Sequence, residues 1–269
     1  MSTSNINQGF LGEVKAFLLD MDGTFFLGDR LLPGGLELLE LLNRHRLPFS
    51  FLTNNTSRSK LDYIRKLRGF GVSEEDARVF TAGDATISYL NKYHAEKKVF
   101  LLGTPSLMES FSAGGIALSE SDPDLVVIGY DTSLTYERLS AFCRFVRQGL
   151  PYIATHPDVN CPTPEGLVPD IGAMMRLVEA STGRRADVVI GKPNPGIVTA
   201  LAEEWGLEPE DLVMVGDRLY TDIALGKTTG VKTVLVLSGE TRREDLENAI
   251  YQPDLVCENL ADLTRYLSN

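Results

Sequence analysis

Short apolar runs alternate with amphipathic stretches along most of the chain, and this alternation limits the fold more than any other feature. The predicted strands are short and almost wholly apolar, and they cover residues 14–19, 49–52, 188–190, 212–215, 231–237 and 254–256. Apolar residues at helical spacing lie between them, at residues 33–44, 59–70, 195–205 and 221–229. Strands that alternate with helices are typical of a parallel sheet, and unbroken apolar strands indicate that helices cover both of its faces. The sequence therefore predicts an α/β fold built on a parallel sheet.

The middle of the chain follows a strand and helix rhythm of its own. Its strand-like runs are residues 98–103, 124–130 and 151–155, and its helix-like stretches are residues 135–148 and 171–180. About 100 residues are enough for a separate small domain. We therefore predict one domain made of residues 1–82 and 185–269 that is interrupted by a second α/β domain, residues 83–184, with boundaries accurate to several residues.

Charge and composition exclude several classes of protein. The chain has 26 basic and 37 acidic residues and a net charge of −11, so its surface as a whole would repel nucleic acid. No apolar run reaches the ~18 residues of a membrane span, and residues 1–9 lack the basic-then-apolar pattern of a signal peptide. We therefore expect a cytoplasmic protein that has neither nucleic acid nor a membrane as a partner.

The cysteines and histidines do not suggest a metal site or a disulfide framework. Cys143, Cys161 and Cys257 are odd in number and far apart along the chain. The three histidines are also too scattered for a histidine metal cluster. We expect three free, buried or half-buried thiols, as is usual in a reducing compartment.

Two aspartates directly follow the first predicted strand, where residues 20–24 read Asp-Met-Asp-Gly-Thr. Positions i and i+2 of a strand face the same side, so we expect Asp20 and Asp22 to project together, and Gly23 permits a sharp turn after them. Ligands of an open α/β sheet usually bind at the carboxyl ends of its strands. Two carboxylates there repel each other unless a cation offsets them, and Mg²⁺ prefers such ligands together with a substrate phosphate. The pair therefore predicts a magnesium and phosphate site, with two solvated loop aspartates as the alternative.

A Thr-Asn-Asn segment, residues 53–55, follows the second predicted strand. A small hydroxyl and exposed backbone amides at a strand end that leads into a helix can hold phosphate oxygens. Taken alone, an ordinary turn with a helix cap explains this segment better. Arg58, at the start of the next predicted helix, would either meet an anionic group of a substrate or be solvated.

Two later strand ends complete the pattern. Lys192 lies in a Gly-Lys-Pro-Asn-Pro turn after residues 188–190, and Asp217 and Asp222 follow residues 212–215. The alternatives are a surface lysine and a helix N-cap, but one cap does not easily explain both aspartates. We expect all four polar strand ends to lie on one sheet. Their four carboxylates and one ammonium carry a charge of about −3, which one divalent cation reduces to about −1.

In this order, the four segments resemble the motifs of the haloacid dehalogenase-like hydrolase superfamily. The matching positions are residues 20–24, Thr53, Lys192, and Gly216-Asp217 together with Asp222. The sequence around these motifs is similar to that of the 4-nitrophenylphosphatase-type subfamily (NagD-like, subclass IIA), and the similarity runs over almost the whole chain. The family places its type-2 caps between the second and third motifs. The resemblance therefore implies a Rossmann-like parallel sheet core with an inserted α/β type-2 cap domain at residues 83–184.

The resemblance also implies a mechanism, that of a magnesium-dependent phosphatase of small-molecule phosphomonoesters. Asp20 would attack phosphorus and form an aspartyl phosphate, and Asp22 would act first as general acid and then as general base. The residues that would hold the phosphoryl oxygens or neutralise their charge are Thr53, Asn54, Asn55 and Lys192.

Mg²⁺ would be bound by Asp20, the backbone carbonyl of Asp22 and Asp217, and the sequence leaves open whether Asp222 binds it directly or through water. We call residues 154–170 the recognition loop, because a cap segment of this kind usually reaches toward the substrate in this family. Within it His156 would contact the substrate, or would be an ordinary histidine in a proline turn. The expected partner is a small phosphorylated metabolite, and type-2 caps serve as dimer surfaces in some members, which leaves a homodimer open.

Two other functions are compatible with parts of the pattern. A phosphotransferase or mutase would use the same aspartyl phosphate chemistry. However, superfamily mutases generally carry a small helical cap after the first motif, and here a flap and one helix use the residues between Asp22 and Thr53. A non-catalytic phosphometabolite-binding regulator would be expected to have lost Asp20 or Asp22, and the chain has both.

Overall fold

The structure is a computed structural model that describes residues 14–163 and 166–268. The prediction that the chain lacks a signal peptide concerns residues 1–9, which lie outside the described residues. Residues 164–165 of the recognition loop also lie outside them. The chain forms two compact units. The first unit contains the described residues up to Thr53, Ile64–Phe80 and the residues from Ala202 onward. The second unit contains Asn54–Tyr63 and Thr81–Leu201.

Short strands and mostly short helices make up both units. The strands are β1 (Ala16–Leu19), β2 (Phe26–Leu27), β3 (Arg30–Leu31), β4 (Phe49–Thr53), β5 (Val79–Thr81), β6 (Lys98–Leu102), β7 (Ala117–Leu118), β8 (Leu125–Ile128), β9 (Tyr152–Ala154), β10 (Asn160–Thr163), β11 (Gly166–Pro169), β12 (Val188–Val189), β13 (Leu212–Gly216), β14 (Lys232–Val236) and β15 (Leu255–Cys257). The helices are α1 (Gly35–Arg44), α2 (Lys60–Gly69), α3 (Ala82–Tyr93), α4 (Pro105–Ala113), α5 (Tyr136–Arg147), α6 (Ile171–Thr182), α7 (Gly196–Trp205), α8 (Ala224–Thr229) and α9 (Leu260–Ser268). A π-helical turn covers Leu219–Ile223, and 3₁₀ turns cover Pro209–Asp211 and Arg243–Asn248.

The first unit is built on a sheet of six strands in the order β15-β14-β13-β1-β4-β5. β1 pairs in parallel with β13 on one side and with β4 on the other, and the register places Leu19 opposite both Val215 and Phe51. All three strands are buried along their whole length, as their largely apolar sequences predict. Because parallel strands run in the same direction, the carboxyl ends of β1, β4 and β13 meet at one edge of this sheet.

Helices α1 and α9 pack against each other in the first unit. The leucines of α1 recur at helical spacing, and those at positions 38, 39, 41 and 42 are buried. Gly34 precedes α1 with a positive φ of 87°, and a Cβ there would overlap the backbone of Ala261 at the start of α9. A glycine is therefore required at this approach both for the backbone conformation and for the space.

The second unit is built on a separate sheet in the order β12-β9-β8-β6-β7, whose pairs are all parallel. Its core is rich in aromatic residues that β6, β9 and α5 contribute. Phe142 and Tyr152 meet edge to face with their ring centroids 5.2 Å apart, and both side chains are fully buried. β10 and β11 form an antiparallel hairpin within the recognition loop.

The predicted α/β class with a parallel sheet is confirmed, and each predicted strand and helix corresponds to an element within a few residues. One placement was wrong, since the strand at residues 188–190 does not belong to the sheet of the first unit. It forms β12, which pairs with β9 of the second unit through Val188 opposite Ile153. A short apolar run marks a buried strand but does not name its neighbour, so the four polar strand ends do not share one sheet. The divisions predicted near residues 82 and 184 stay predictions.

Several elements were not predicted from the sequence. They are α3, α4, α9, β5, β7 and the hairpin β10-β11, whereas the hairpin β2-β3 lies among the residues expected to form a flap after Asp22. The predicted helix at residues 221–229 begins as the π-helical turn at Leu219–Ile223 and continues as α8. Single π-helical turns often occur at functional sites, and this one carries Asp222.

The cysteines agree with the sequence-based expectation, since none of Cys143, Cys161 and Cys257 forms a disulfide within the described ranges and all three are at least half-buried. Within the part of the chain that the structure describes, no helix combines the length and the apolar character that crossing a membrane requires.

Candidate active site

The first unit brings Asp20 and Asp217 to the same sheet edge because they follow adjacent strands. β1 ends at Leu19, opposite Val215 of β13, and the backbone amide of Asp20 donates to the carbonyl of Val215 at 2.8 Å. Asp217 comes directly after the end of β13 at Gly216. Because β1 ends before Asp20, the strand periodicity that we used to place Asp20 and Asp22 does not extend to them.

Three carboxylates converge at this edge. One oxygen each of Asp20, Asp217 and Asp222 lies within 4.8 Å of the others, and these side chains belong to residues that are 9%, 2% and 1% exposed. Burial raises the pKa of Asp217 well above its usual range, and the neighbouring carboxylates of Asp20 and Asp222 raise it further. The Oδ1 atom of Asp217 is buried and has no hydrogen-bond partner among the described residues.

Glycines make the room that these carboxylates occupy. Gly23 has a positive φ of 87°, and a Cβ there or at Gly239 would overlap the carboxylate of Asp217. A Cβ at Gly216 would overlap the carboxylate of Asp222. The turn after Asp22 therefore requires glycine for its conformation, and the cluster requires glycine for its space.

The loop after β14 holds Asp217 in place, and sequence reasoning missed it. The backbone amide of Glu240 donates to Asp217 Oδ2 at 2.6 Å, and Ser238 Oγ donates to the carbonyl of Gly23 at 2.9 Å. The available signal was the Ser-Gly-Glu segment that directly follows the predicted strand 231–237, since it is one more polar strand end on the same sheet.

Arg218 is a second residue to which the sequence assigned no role. Burial alone would lower the pKa of Arg218, but Asp20 and Asp217, followed by Tyr220 and Asp222, outweigh burial and raise it. Its guanidinium Nε lies 2.9 Å from Glu240 Oε2, and its side chain is 15% exposed. Arg218 therefore brings one fixed positive charge to an edge where three carboxyl groups meet.

The residues present fit a magnesium ion. The cluster offers hard oxygen ligands, one of which is buried and has no hydrogen-bond partner within residues 14–163 and 166–268, and it crowds three carboxyl groups together as a divalent cation would require. Of the four predicted metal ligands, the structure brings together the side chains of Asp20, Asp217 and Asp222. Asp22 was predicted to bind through its backbone carbonyl, and that contact stays a prediction. Asp22 is half-buried and forms an isolated β-bridge with Phe26.

Thr53 belongs to the first unit, and the residues that follow it belong to the second. Thr53 is the last residue of β4 and is 5% exposed. In the second unit, Asn55 Oδ1 accepts from the backbone amide of Ser57 at 2.9 Å and from its hydroxyl at 2.7 Å, which shapes the turn before α2. Arg58 is exposed.

The second unit places Asn54, Lys192 and Asp158 in one hydrogen-bonded group. Asn54 and Lys192 are 5% and 3% exposed. The backbone amide of Lys192 donates to Asn54 Oδ1 at 2.8 Å, and Asn54 Nδ2 donates to the carbonyl of Lys192 at 2.9 Å. The same Nδ2 donates to Asp158 Oδ1 at 2.9 Å. The sequence predicted Asn54 and Lys192 as site residues but not their contact.

His156 is fully buried in the second unit. Its Nδ1 accepts from the backbone amide of Asp158 at 3.4 Å, and its Nε2 lies 3.7 Å from Asp170 Oδ1. Nε2 has no hydrogen-bond partner among the described residues. His156 therefore supports the recognition loop from inside the unit, and its predicted contact with a substrate stays a prediction.

Comparison with known proteins identifies the family. A family model described as haloacid dehalogenase-like hydrolase matches residues 17–117, and one described as HAD-hydrolase-like matches residues 189–263. The acid sugar phosphatase of Staphylococcus haemolyticus is 34% identical over 240 residues, which cover 89% of this chain and 91% of that protein. The 5'-nucleotidase YutF of Bacillus subtilis is 30% identical over 253 residues, which cover 94% of this chain and 98% of that protein.

A solved structure agrees over nearly the whole length. The crystal structure of 4-nitrophenylphosphatase from Thermotoga maritima is 50% identical and superposes with a TM-score of 0.92, and the match covers 96% of this chain and 98% of that one. Together with the motifs at Asp20, Thr53, Lys192 and Asp217, these matches confirm the predicted resemblance. The chain therefore belongs to the haloacid dehalogenase-like hydrolases, and within them to the phosphatases of subclass IIA, the subclass of 4-nitrophenylphosphatase and NagD.

Proposed function

We propose that the protein is a magnesium-dependent phosphatase that hydrolyses small-molecule phosphomonoesters through an aspartyl phosphate on Asp20. The observation that carries the proposal is the carboxylate cluster of Asp20, Asp217 and Asp222 at the carboxyl ends of β1 and β13. A divalent cation complements such a cluster because it offsets part of the carboxylate charge, and a substrate phosphate can then bind to the cation. The named activities of the relatives support the same reaction class.

The first half of the reaction phosphorylates the enzyme. A carboxylate oxygen of Asp20 attacks phosphorus, and the bond between phosphorus and the leaving oxygen breaks. Asp22 donates a proton to that oxygen, so the product leaves as an alcohol. The Thr53 hydroxyl and the backbone amide of Asn54 hold non-bridging oxygens, and the ammonium of Lys192 offsets the charge that develops on them.

The second half releases phosphate. Asp22, now a carboxylate, takes a proton from water while the water oxygen attacks phosphorus. The bond between phosphorus and Asp20 breaks, which regenerates the carboxylate and frees inorganic phosphate. Mg²⁺ held by Asp20, Asp217, the carbonyl of Asp22 and Asp222, the last directly or through water, would supply the positive charge that lets a phosphate dianion approach these carboxylates.

We propose that the substrate is a small phosphorylated metabolite and that residues 83–184 act as a cap. Sugar phosphates and nucleoside monophosphates are the first classes to test, since the relatives include an acid sugar phosphatase and a 5'-nucleotidase. The four motifs account for the phosphoryl group, the metal and both protons, and none of them distinguishes one leaving group from another in this mechanism. The recognition loop is our candidate for that task.

Turnover of 4-nitrophenyl phosphate tests the proposal. We expect hydrolysis with Mg²⁺, loss of activity with an excess of chelator, and recovery when Mg²⁺ is restored. A panel of sugar phosphates and nucleoside monophosphates, run under the same conditions, then ranks the natural substrate classes. Full activity in chelator would show that the carboxylate cluster does not work as proposed.

A further inference from the structure

The side chain of Asn54 is fully engaged inside the second unit. Its Oδ1 accepts from the backbone amide of Lys192 at 2.8 Å, and its Nδ2 donates to the carbonyl of Lys192 and to Asp158 Oδ1, both at 2.9 Å. An asparagine amide has two donor hydrogens and one carbonyl oxygen, so these three bonds use both hydrogens and the oxygen. This leaves the side chain no donor with which to hold a phosphate.

The two bonds to Lys192 fix the backbone of that residue. The N–H and C=O of Lys192 meet one amide in the way that a pair of residues exchanges two hydrogen bonds across an antiparallel ladder. Both soft dihedral angles of Lys192 lie between these two groups, so the pairing restrains them together. A lysine side chain is flexible and has many rotamers, and fixing its backbone reduces the volume that its ammonium can sample.

Close packing around this pairing shows that the space is built for it. A Cβ at Gly191 would lie 2.5 Å from Asn54 Oδ1 and 2.7 Å from His156 Cβ, so any side chain there would displace Asn54. On the far side, Asp158 is itself anchored, because its carbonyl accepts from the backbone amide of Gly172 in α6 at 2.7 Å. Asn54 therefore connects the backbone of Lys192 to the recognition loop and, through the loop, to α6.

We propose that Asn54 is a positioning residue that fixes Lys192 through its side-chain amide and couples Lys192 to Asp158 of the recognition loop. The inference rests on the proposed function, in which Lys192 offsets the charge of the phosphoryl group. Asn54 acts on the reaction in two separate ways: its backbone amide faces the phosphoryl group in the proposed mechanism, and its side chain holds the lysine. Removal of the side chain leaves the first role in place.

A double-mutant cycle on 4-nitrophenyl phosphate tests the inference. We expect Asn54→Ala to lower kcat by about 10–100-fold with little change in KM, as is usual for residues that orient a catalytic group. We expect Lys192→Ala to lower kcat by about 100–1,000-fold. In the double variant, Asn54→Ala should change the rate of Lys192→Ala by less than about twofold, because Asn54 has no lysine side chain left to position. Asn91→Ala is the matched control, since Asn91 donates to the carbonyl of Gly114 at an exposed position.

The outcomes separate the inference from the proposed function. If Asn54→Ala multiplies the loss of Lys192→Ala by its own full factor, Asn54 acts independently of Lys192 and the inference is wrong, while the proposed function stands. A wild-type rate in Lys192→Ala would instead overturn the role of Lys192 in the proposed function, and the inference with it.

A second pair of variants covers the case in which Asn54→Ala does not fold. Asn54→Asp keeps the shape and the acceptor for Lys192, but it faces the carbonyl of Lys192 and the carboxylate of Asp158 with oxygen instead of N–H. We expect it to lower kcat, and Asp158→Asn in the same chain to recover several-fold, because the new amide again donates across the pair. Circular dichroism and thermal melting establish that both variants fold. No recovery in folded protein would overturn the coupling to Asp158.

Discussion

Asp20 is the residue on which the proposed chemistry depends, because its carboxylate is the nucleophile. We expect Asp20→Asn to lower turnover of 4-nitrophenyl phosphate by more than about a thousandfold, since an amide does not attack phosphorus as a carboxylate does. The substitution is isosteric and removes one charge from a crowded cluster, so the fold should persist. Steady-state rates and a thermal melt check this. Substantial activity in folded, uncontaminated protein would remove Asp20 from the mechanism.

Asp217 allows a test of the metal site that does not depend on activity. Mg²⁺ should raise the Tm of the wild-type protein, because a ligand that binds only the native state stabilises it. Asp217→Asn should reduce Mg²⁺ affinity by at least about tenfold, since loss of even an outer-shell partner of a metal costs about that much. Calorimetric titration and the shift in Tm measure both effects.

Asp217→Asn should also stabilise the metal-free protein, because a neutral amide avoids the cost of burying a charge and the repulsion from Asp20 and Asp222. Asp29→Ala, at an exposed position in the β2-β3 turn, is the control and should change neither quantity. An unchanged response to Mg²⁺ in Asp217→Asn would show that the ion binds elsewhere or not at all.

The site residues that could be predicted from the sequence are those that directly follow a predicted strand. Asp20 and Asp217 follow apolar strands whose lengths can be read, and parallel pairing then brings them together. The partners of Asn54 could not be predicted, because they are 138 and 104 residues away along the chain. Side-chain hydrogen bonds over such separations leave no pattern in a single sequence. Arg218 was visible beside Asp217, but only the structure shows how many carboxylates surround it.

At the scale of single elements, β9 contains a polar group that its surroundings do not satisfy. Tyr152 is fully buried, and its hydroxyl has no hydrogen-bond partner among the described residues. We expect Tyr152→Phe to raise the free energy of unfolding by about 1 kcal/mol or more, because a buried hydroxyl without a partner costs about that much. Urea unfolding near neutral pH measures the difference. Tyr136→Phe is the control, since Tyr136 is 85% exposed.

The same residue predicts a dependence of stability on pH. Burial, and after it the neighbouring Cys143, raises the pKa of Tyr152 above the ordinary value of 10.0. Above that value the unfolded chain loses the tyrosine proton while the folded protein keeps it, so the stability present below pH 10.0 falls as the pH rises further. Tyr152→Phe should escape this loss, and its advantage should widen in alkali. An advantage that shrinks above pH 10.0 would contradict the account.

β12 shows where prediction of elements from the sequence stops. Apolar runs identified most strands of both sheets, because burial on two faces leaves a continuous signal. β12 consists of Val188 and Val189 alone, and its membership of the second sheet follows from pairing with β9. Pairing depends on contacts between distant segments, so the sequence placed this strand in the wrong sheet. α3 and α4 escaped notice because their sequences, with Gly, Ser and Thr among the apolar residues, lack a clear stripe.

For the whole molecule, the carboxylates of the proposed metal site and the residues proposed to recognise the leaving group belong to different units. The carboxylate cluster belongs to the first unit, whereas the recognition loop with His156 and Asp158 belongs to the second. We expect His156→Gln to change the ranking of substrates in a panel of phosphorylated metabolites. The effect on 4-nitrophenyl phosphate should be smaller, because its aryl leaving group offers few polar groups for the loop to contact. A uniform change across all substrates would indicate that this loop is merely structural.

If the phosphoryl group passes through a covalent bond to Asp20, rapid acid quenching during turnover should trap it there. Protein mixed with Mg²⁺ and 4-nitrophenyl phosphate is quenched within the first turnovers and digested, and the peptides are examined by mass spectrometry. We expect a phosphoryl group on Asp20 in the wild-type protein, and none in Asp20→Asn or in the presence of chelator. Rapid turnover with no phosphoryl group on Asp20 at any quench time, or with the group on another residue, would contradict it.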